Sequence, residues 1–310
     1  TVGIPAISIN YLPEIAASLK VNKFDYPRFI QSFGEFCSDE DGLLRLRCSR
    51  LFSSVVLENL AISEKINIVR NLIYELAKDL KEGERTYNNE IFKHLIRASS
   101  LTKIVGLDEQ RSIEFLIELQ ESCKHLSYYW IQLGILYRAS EQFEEAENAF
   151  EYAKNAHGYE NYQIAHTTAK NYMEWGLWSI TNAPSQAAHL FDQGAAKILE
   201  VFLKWTYPDA ICFSAHSYID MNIKYFSKLN VVPPQSTWLA MNKCLDRYIN
   251  TANFSDRLLA DIFSCMCTFA RKNNLQIEHE QSIRRSLNQK KCSPSYATVE
   301  YNIDELPLYE

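Results

Sequence analysis

Three side chains at helical spacing come nearest to a reactive set. Cys212, His216 and Asp220 recur every fourth residue, so on a helix they share one face. A thiolate, an imidazole and a carboxylate in a row are a candidate ligand set for Zn²⁺, or the seed of a cryptic helical enzyme. No second Cys/His cluster completes that set, and Cys and His also fill ordinary helix interfaces. Cys123 and His125 are a candidate nucleophile and base, but helical residues two apart point to different faces. Glu141, Glu144, Glu145, Glu147 and Glu151 offer carboxylates for acid–base work, yet their pattern better fits the solvated face of one helix. The P-loop signature, GxGxxG after a strand, HExxH and GxSxG are all missing from the chain. We therefore expect no enzymatic activity, no catalytic residue, no metal and no cofactor of this chain.

The composition narrows the partners. Of 310 residues, 47% are hydrophobic and 23% charged, which is ordinary for a folded chain with a sizeable core. Acidic residues outnumber basic ones, 38 to 32, for a net charge of −6, so neither nucleic acid nor a membrane surface is an expected partner. The eight cysteines (Cys37, Cys48, Cys123, Cys212, Cys244, Cys265, Cys267 and Cys292) are scattered without a CxxC pair. That usage fits reduced thiols in a cytosolic protein. No run of about 18 apolar residues is present, so no membrane span is expected. The opening TVGIPAISINYL lacks Met, a basic region and a cleavage site, and reads as an internal piece of a longer polypeptide without a signal peptide.

Helices must position whatever the chain uses. Residues 1–60 form a mixed segment, with short helices around Ile15–Leu19 and Phe29–Phe33. A turn follows at Asp39-Glu40-Asp41-Gly42, then a short strand over the alternating Leu43–Cys48, and a helical pattern resumes at Phe52–Leu60. This order suits the end of a winged-helix-like α/β module. From Ser63, read as an N-cap, Ile66, Val69, Ile73, Leu76 and Leu80 repeat the 3-and-4 spacing of a core-facing helix. Further helices are expected over 87–98, 109–124, 127–139, 143–156, 161–180, 184–204, 208–228, 237–251 and 255–272, with Ser236 and Ser255 as caps of the last two. Short joints between them predict antiparallel hairpins stacked through residues 61–274. Residues 275–310 read as a weakly structured, extended tail, with Tyr301, Ile303 and Leu306 as its apolar contacts.

One motif is specific. Trp130-x2-Leu133-Gly134-x2-Tyr137, followed by Ala146-x3-Phe150 and Ala153, resembles a tetratricopeptide (TPR) repeat of about 34 residues. Gly134 and Ala146 are small where two helices cross closely, and Trp130, Leu133, Tyr137 and Phe150 fill the space around the crossing. The family usually closes its repeat with Pro where this chain has Gly158. Ala187-x3-Phe191 and Ala195 resemble a second, degenerate copy, whose preceding helix carries Tyr172, Trp175 and Trp178 in place of the Leu-Gly pair. With Tyr159 and Tyr162 these form an aromatic concentration, read mostly as core with one or two interface anchors. One repeat cannot bury its own faces, so an all-α, TPR-like solenoid is expected over 61–274.

The resemblance implies a groove binding a protein or peptide, lined here by Tyr128, Ile131, Ile135, Arg138 and Ala139. TPR proteins that clamp a terminal carboxylate use Lys and Asn where this chain has Ile131 and Ile135, so a hydrophobic segment or folded surface is the expected ligand. On this reading Ile131→Asp with Ile135→Asp removes binding and spares the fold; the same residues meeting the next helix is the competing reading. The run Leu44–Phe52 ahead of a helical array is similar to the region after the ATPase core in STAND-type NTPases, including bacterial antiphage sensors. That resemblance implies a C-terminal sensor of a larger cytoplasmic regulator, recognising a ligand or viral protein, with ATP hydrolysis and effector chemistry elsewhere. A scaffold or homo-oligomerising array without an external ligand is the alternative.

Overall fold

The computed structural model describes residues 7–8, 25, 37–40, 43–46, 60–83, 86–251 and 256–289. From Ile62 onward these residues form helices and their joints, an all-α fold. Ahead of them, three short strands, β1 (Ile7–Ser8), β2 (Cys37–Glu40) and β3 (Leu43–Leu46), pair antiparallel in the order β1-β3-β2, with Glu40 opposite Leu43. The helices expected around Ile15, Phe29 and Phe52 lie outside the described residues, as do Tyr301, Ile303 and Leu306.

The chain clusters into two compact units, Thr1–Tyr159 and Glu160–Glu310. In the first, α1 (Ile62–Asp79) buries Val69, Ile73 and Leu76 of the stripe its periodicity predicts, together with Leu72 and Ala77, while Ile66 is half-buried and Leu80 is buried just past the helix end. Its cap is Ala61 rather than Ser63, because the Glu64 carboxylate returns to the Ala61 amide at 2.8 Å and closes the first turn two residues earlier. The next helix, α2 (Tyr87–Ile96), ends before the expected residue 98 because the Ala98 amide is taken by Gln132 Oε1 at 3.0 Å. A short α3 (Ala98–Ser100) runs into a π-helical turn, Leu101–Val105, closed by Gly106. Asp108 then caps α4 (Glu109–Cys123), accepting from the Arg111 amide at 2.8 Å. The hairpin of α5 (Ser127–Ala139) and α6 (Phe143–His157) completes the unit, and Gly158 at φ 83° ends α6 in the left-handed conformation that glycine adopts freely.

The second unit holds α7 (Tyr162–Asn182), α8 (Pro184–Lys204), α9 (Pro208–Leu229), α10 (Gln235–Asn250), α11 (Asp256–Lys272) and α12 (Glu280–Gln289). Pro184 and Pro208 open their helices at positions whose amides have no helical acceptor. Pro234, not Ser236, occupies the cap of α10, and Ser255 lies outside the described residues. One core runs through the unit and includes Met173, Phe191, Ile219, Met241, Leu245 and Met266. The expected extended tail is overturned over Glu280–Gln289. There Ile283 is buried in the core, and the Arg284 guanidinium bonds Glu280 one turn back at 2.6 Å while lying over the Phe263 ring.

Candidate recognition surface

The α5–α6 hairpin is built on the contact the motif predicts. A β-carbon added to Gly134 would stand 2.5 Å from a Phe150 ring carbon, so glycine lets the ring sit in its present place at that crossing. Ala146 and Ala153 are fully buried behind it, with Leu133 and Phe150. Trp130 donates its indole N–H to the Lys124 carbonyl at 2.8 Å, and Tyr129 donates to the Leu116 carbonyl, also at 2.8 Å.

The five residues expected to line a groove fall into two groups. Ala139 is exposed. Tyr128, Ile131, Ile135 and Arg138 are buried, Ile131 to 1% exposure. Within the unit, α2, α3 and α4 all pack against α5. Arg97 reaches the Tyr128 hydroxyl at 3.5 Å and the Lys93 ammonium stands over the Tyr128 ring. Ile131→Asp would therefore place a carboxylate in a packed interior, so the expectation that the double substitution spares the fold is withdrawn.

The members of the candidate chemical sets have separate neighbours. Cys212 is fully buried, and burial pushes its thiol up to about 12. Asp220 pairs instead with Lys224 at 2.8 Å, one turn along α9. Burial holds the His216 imidazole down to about 4, with Asp220 opposing that shift. Among the described residues, no group of three His, Cys, Asp or Glu is arranged to hold a metal. The Cys123 thiol is likewise pushed up to about 12 by burial, and His125 Nε2 lies 3.1 Å from the Leu80 carbonyl, so the two serve different neighbours. Glu144, Glu145 and Glu151 are exposed on the outer face of α6. Of the aromatic concentration, Tyr162 and Tyr172 are buried, Trp175 and Trp178 half-buried, and Tyr159 is 64% exposed.

Three arrangements escaped the sequence reading. Glu82, in the joint after α1, accepts from the Ser127 amide at 2.8 Å and the Ser127 hydroxyl at 2.6 Å, and its Oε1 meets His157 Nδ1 at 2.5 Å. One carboxylate thus satisfies an orphan amide at the start of α5 and ties it to the end of α6. In the second unit, His166 Nε2 lies 3.0 Å from Ser217 Oγ, joining α7 to α9; both residues are 2% exposed, so the pair is a buried tie. Gly176 lies against Phe191: a β-carbon there would stand 2.5 Å from the Phe191 amide nitrogen. Its signal was present but offset. Gly176 precedes Ala187 by 11 residues (187 − 176), where Gly134 precedes Ala146 by 12 (146 − 134).

No helix among the described residues is long and apolar enough to cross a membrane. Comparison with protein-family models, curated proteins and solved structures gave no match.

Proposed function

We propose that this chain is a protein-recognition module of TPR-like helical hairpins, the sensing part of a larger cytoplasmic regulator of the STAND-type NTPase kind, with a protein or peptide as its ligand. The observation that carries this reading is a packing device used once in each unit: a glycine of one helix receives a phenylalanine of the next, Gly134 with Phe150 and Gly176 with Phe191. Hairpins joined this way are the format of arrays whose faces bind other chains. The close-set titratable groups favour the same reading, since Glu82, Ser127 and His157 hold helix ends together. Contact at the α5 face falls to Ala139, with Tyr128, Ile131, Ile135 and Arg138 shaping that face from beneath.

Affinity capture with the intact chain and with Ala139→Arg tests the proposal, followed by reconstitution from purified components. The expected result is a defined protein bound stoichiometrically by the intact chain and weakened by Ala139→Arg. If no captured protein rebinds at micromolar concentration when purified, recognition is refuted. Self-assembly is the second reading, favoured by Leu229, Val231, Val232 and Leu239, which are 39–53% exposed around the α9–α10 joint. Sedimentation distinguishes the two, because assembly through that corner requires a mass above the monomer that Val232→Glu abolishes.

A further inference from the structure

We infer that the outer face of α6 is a docking surface for a basic, extended segment of the partner, with Tyr152 and Tyr159 as its cation-binding rings. This names the partner's chemistry and rests on the recognition reading above. The face is laid out by spacing: Glu145, Asn148, Tyr152 and Asn155 follow one another along α6 at steps of 3, 4 and 3, and all four are exposed, as is Tyr159 just past the left-handed Gly158 that ends the helix. Tyr152 and Tyr159 are 54% and 64% exposed, large areas for aromatic side chains.

Two features separate these rings from incidental surface tyrosines. Each is backed by a second ring that fixes its orientation. Tyr152 packs on Trp130 at 4.7 Å between centroids, and Trp130 is itself anchored through its indole N–H to the Lys124 carbonyl. Tyr159 packs on His157 at 4.3 Å, and His157 is held by Glu82. A ring already held in place loses little freedom when a ligand arrives.

The second feature is charge. Glu144, Glu145 and Glu151 are exposed beside the rings, and the ion pair on this side of the helix, Lys154 with Glu151, is long at 3.9 Å. Carboxylates beside an open tyrosine face favour a guanidinium or ammonium, which the ring quadrupole and the negative charge attract together. The same field repels an acidic segment and gives an aliphatic one nothing to replace its water. From Glu144 to Tyr152 is about 12 Å along the helix. An extended chain covers that distance in three or four residues, so the fitting segment carries two cations at that separation.

The probe is a fluorescein-labelled extended peptide with two arginines four residues apart, titrated at low and moderate salt by anisotropy against the whole chain. Binding should weaken about ten-fold for Tyr152→Ala with Tyr159→Ala, and as much for the peptide with both arginines replaced by glutamine. Tyr152→Phe with Tyr159→Phe should bind nearly as the native chain does, because the ring face is kept. Unchanged affinity of the alanine pair, or equal binding of the glutamine peptide, overturns the proposal; unchanged circular dichroism of the variants excludes misfolding as the cause. A partner from the capture experiment that binds native and alanine-pair protein equally also overturns this surface and leaves recognition standing. If no partner rebinds yet the arginine peptide binds through the two tyrosines, the surface stands and the recognition reading of the α5 face falls.

Discussion

Gly176 faces the backbone of Phe191, so the α7–α8 crossing admits no side chain at that point: an added β-carbon would lie 2.5 Å from the Phe191 amide nitrogen and 2.7 Å from its Cβ. The equivalent contact in the first unit differs in kind, because Gly134 meets the ring of Phe150 rather than its backbone. A ring can tilt; a helix backbone shifts only with its helix. Gly176→Ala should therefore destabilise the second unit by about 3 kcal/mol. Gly134→Ala should cost about 1 kcal/mol, because alanine's better helix propensity offsets part of the clash. Thermal denaturation of the two variants checks the order, and equal losses would contradict the distinction between ring and backbone.

Glu82 gathers three contacts from the two ends of the α5–α6 hairpin. Glu82→Ala leaves the Ser127 amide and hydroxyl without their acceptor in a half-buried site, an expected loss of about 2 kcal/mol. Ser127→Ala removes only the hydroxyl bond and should cost about 1 kcal/mol. Urea unfolding of both single variants and the double gives the coupling; a sum of two independent effects would show that the contacts do not act together.

His216 makes the stability of the second unit depend on pH. Burial lowers its folded value to about 4, Lys170 and Lys224 add to the lowering, and Asp220 opposes it. An unfolded histidine takes up its proton near 6.5. The unfolded chain therefore binds the proton more tightly, and stability present above about pH 6.5 is lost as pH falls toward 4. Allowing for the partial exposure of the side chain, the loss by pH 4.5 should be about 2 kcal/mol. Urea unfolding at pH 7 and pH 4.5 should show this drop in the native chain and a smaller one in His216→Gln.

The thiols should separate by access. Cys123, Cys212 and Cys244 are buried and pushed up to about 12 by that burial, whereas Cys265 is exposed. Brief iodoacetamide treatment of the folded chain at pH 8 should label Cys265 and leave those three unmodified until denaturant is added, as read by peptide mass spectrometry. Early labelling of Cys212 would contradict its place in the core.

Ile131→Asp tests the packing of α5 directly. The side chain is 1% exposed, and a carboxylate there loses its hydration in a packed interior, so the first unit should lose about 4 kcal/mol or fail to fold. Ala139→Arg, at the exposed end of the same helix, should change stability by less than about 0.5 kcal/mol. Circular dichroism melts distinguish the two.

The helices and the α5–α6 hairpin were legible because their signals are local. The 3-and-4 spacing of Val69, Ile73, Leu76 and Leu80 predicts a buried stripe from one turn to the next, and the Gly134–Phe150 contact belongs to two helices joined by a short turn. Helix ends were less legible. Whether Ala61 or Ser63 caps α1 depends on where one carboxylate, that of Glu64, finds an amide. Helix α12 was missed because its sequence is mostly polar, and its order rests on Ile283 and Arg284 packing onto a core assembled far away in the chain. The same reason governs the candidate surface. Sequence spacing placed Tyr128, Ile131, Ile135 and Arg138 on one face of α5, and spacing alone cannot say whether a face meets solvent or neighbouring helices. Tertiary packing decided that, burying those four while leaving Tyr152 and Tyr159 open and ring-backed, because burial depends on which distant elements arrive and periodicity only on the turn of a single helix.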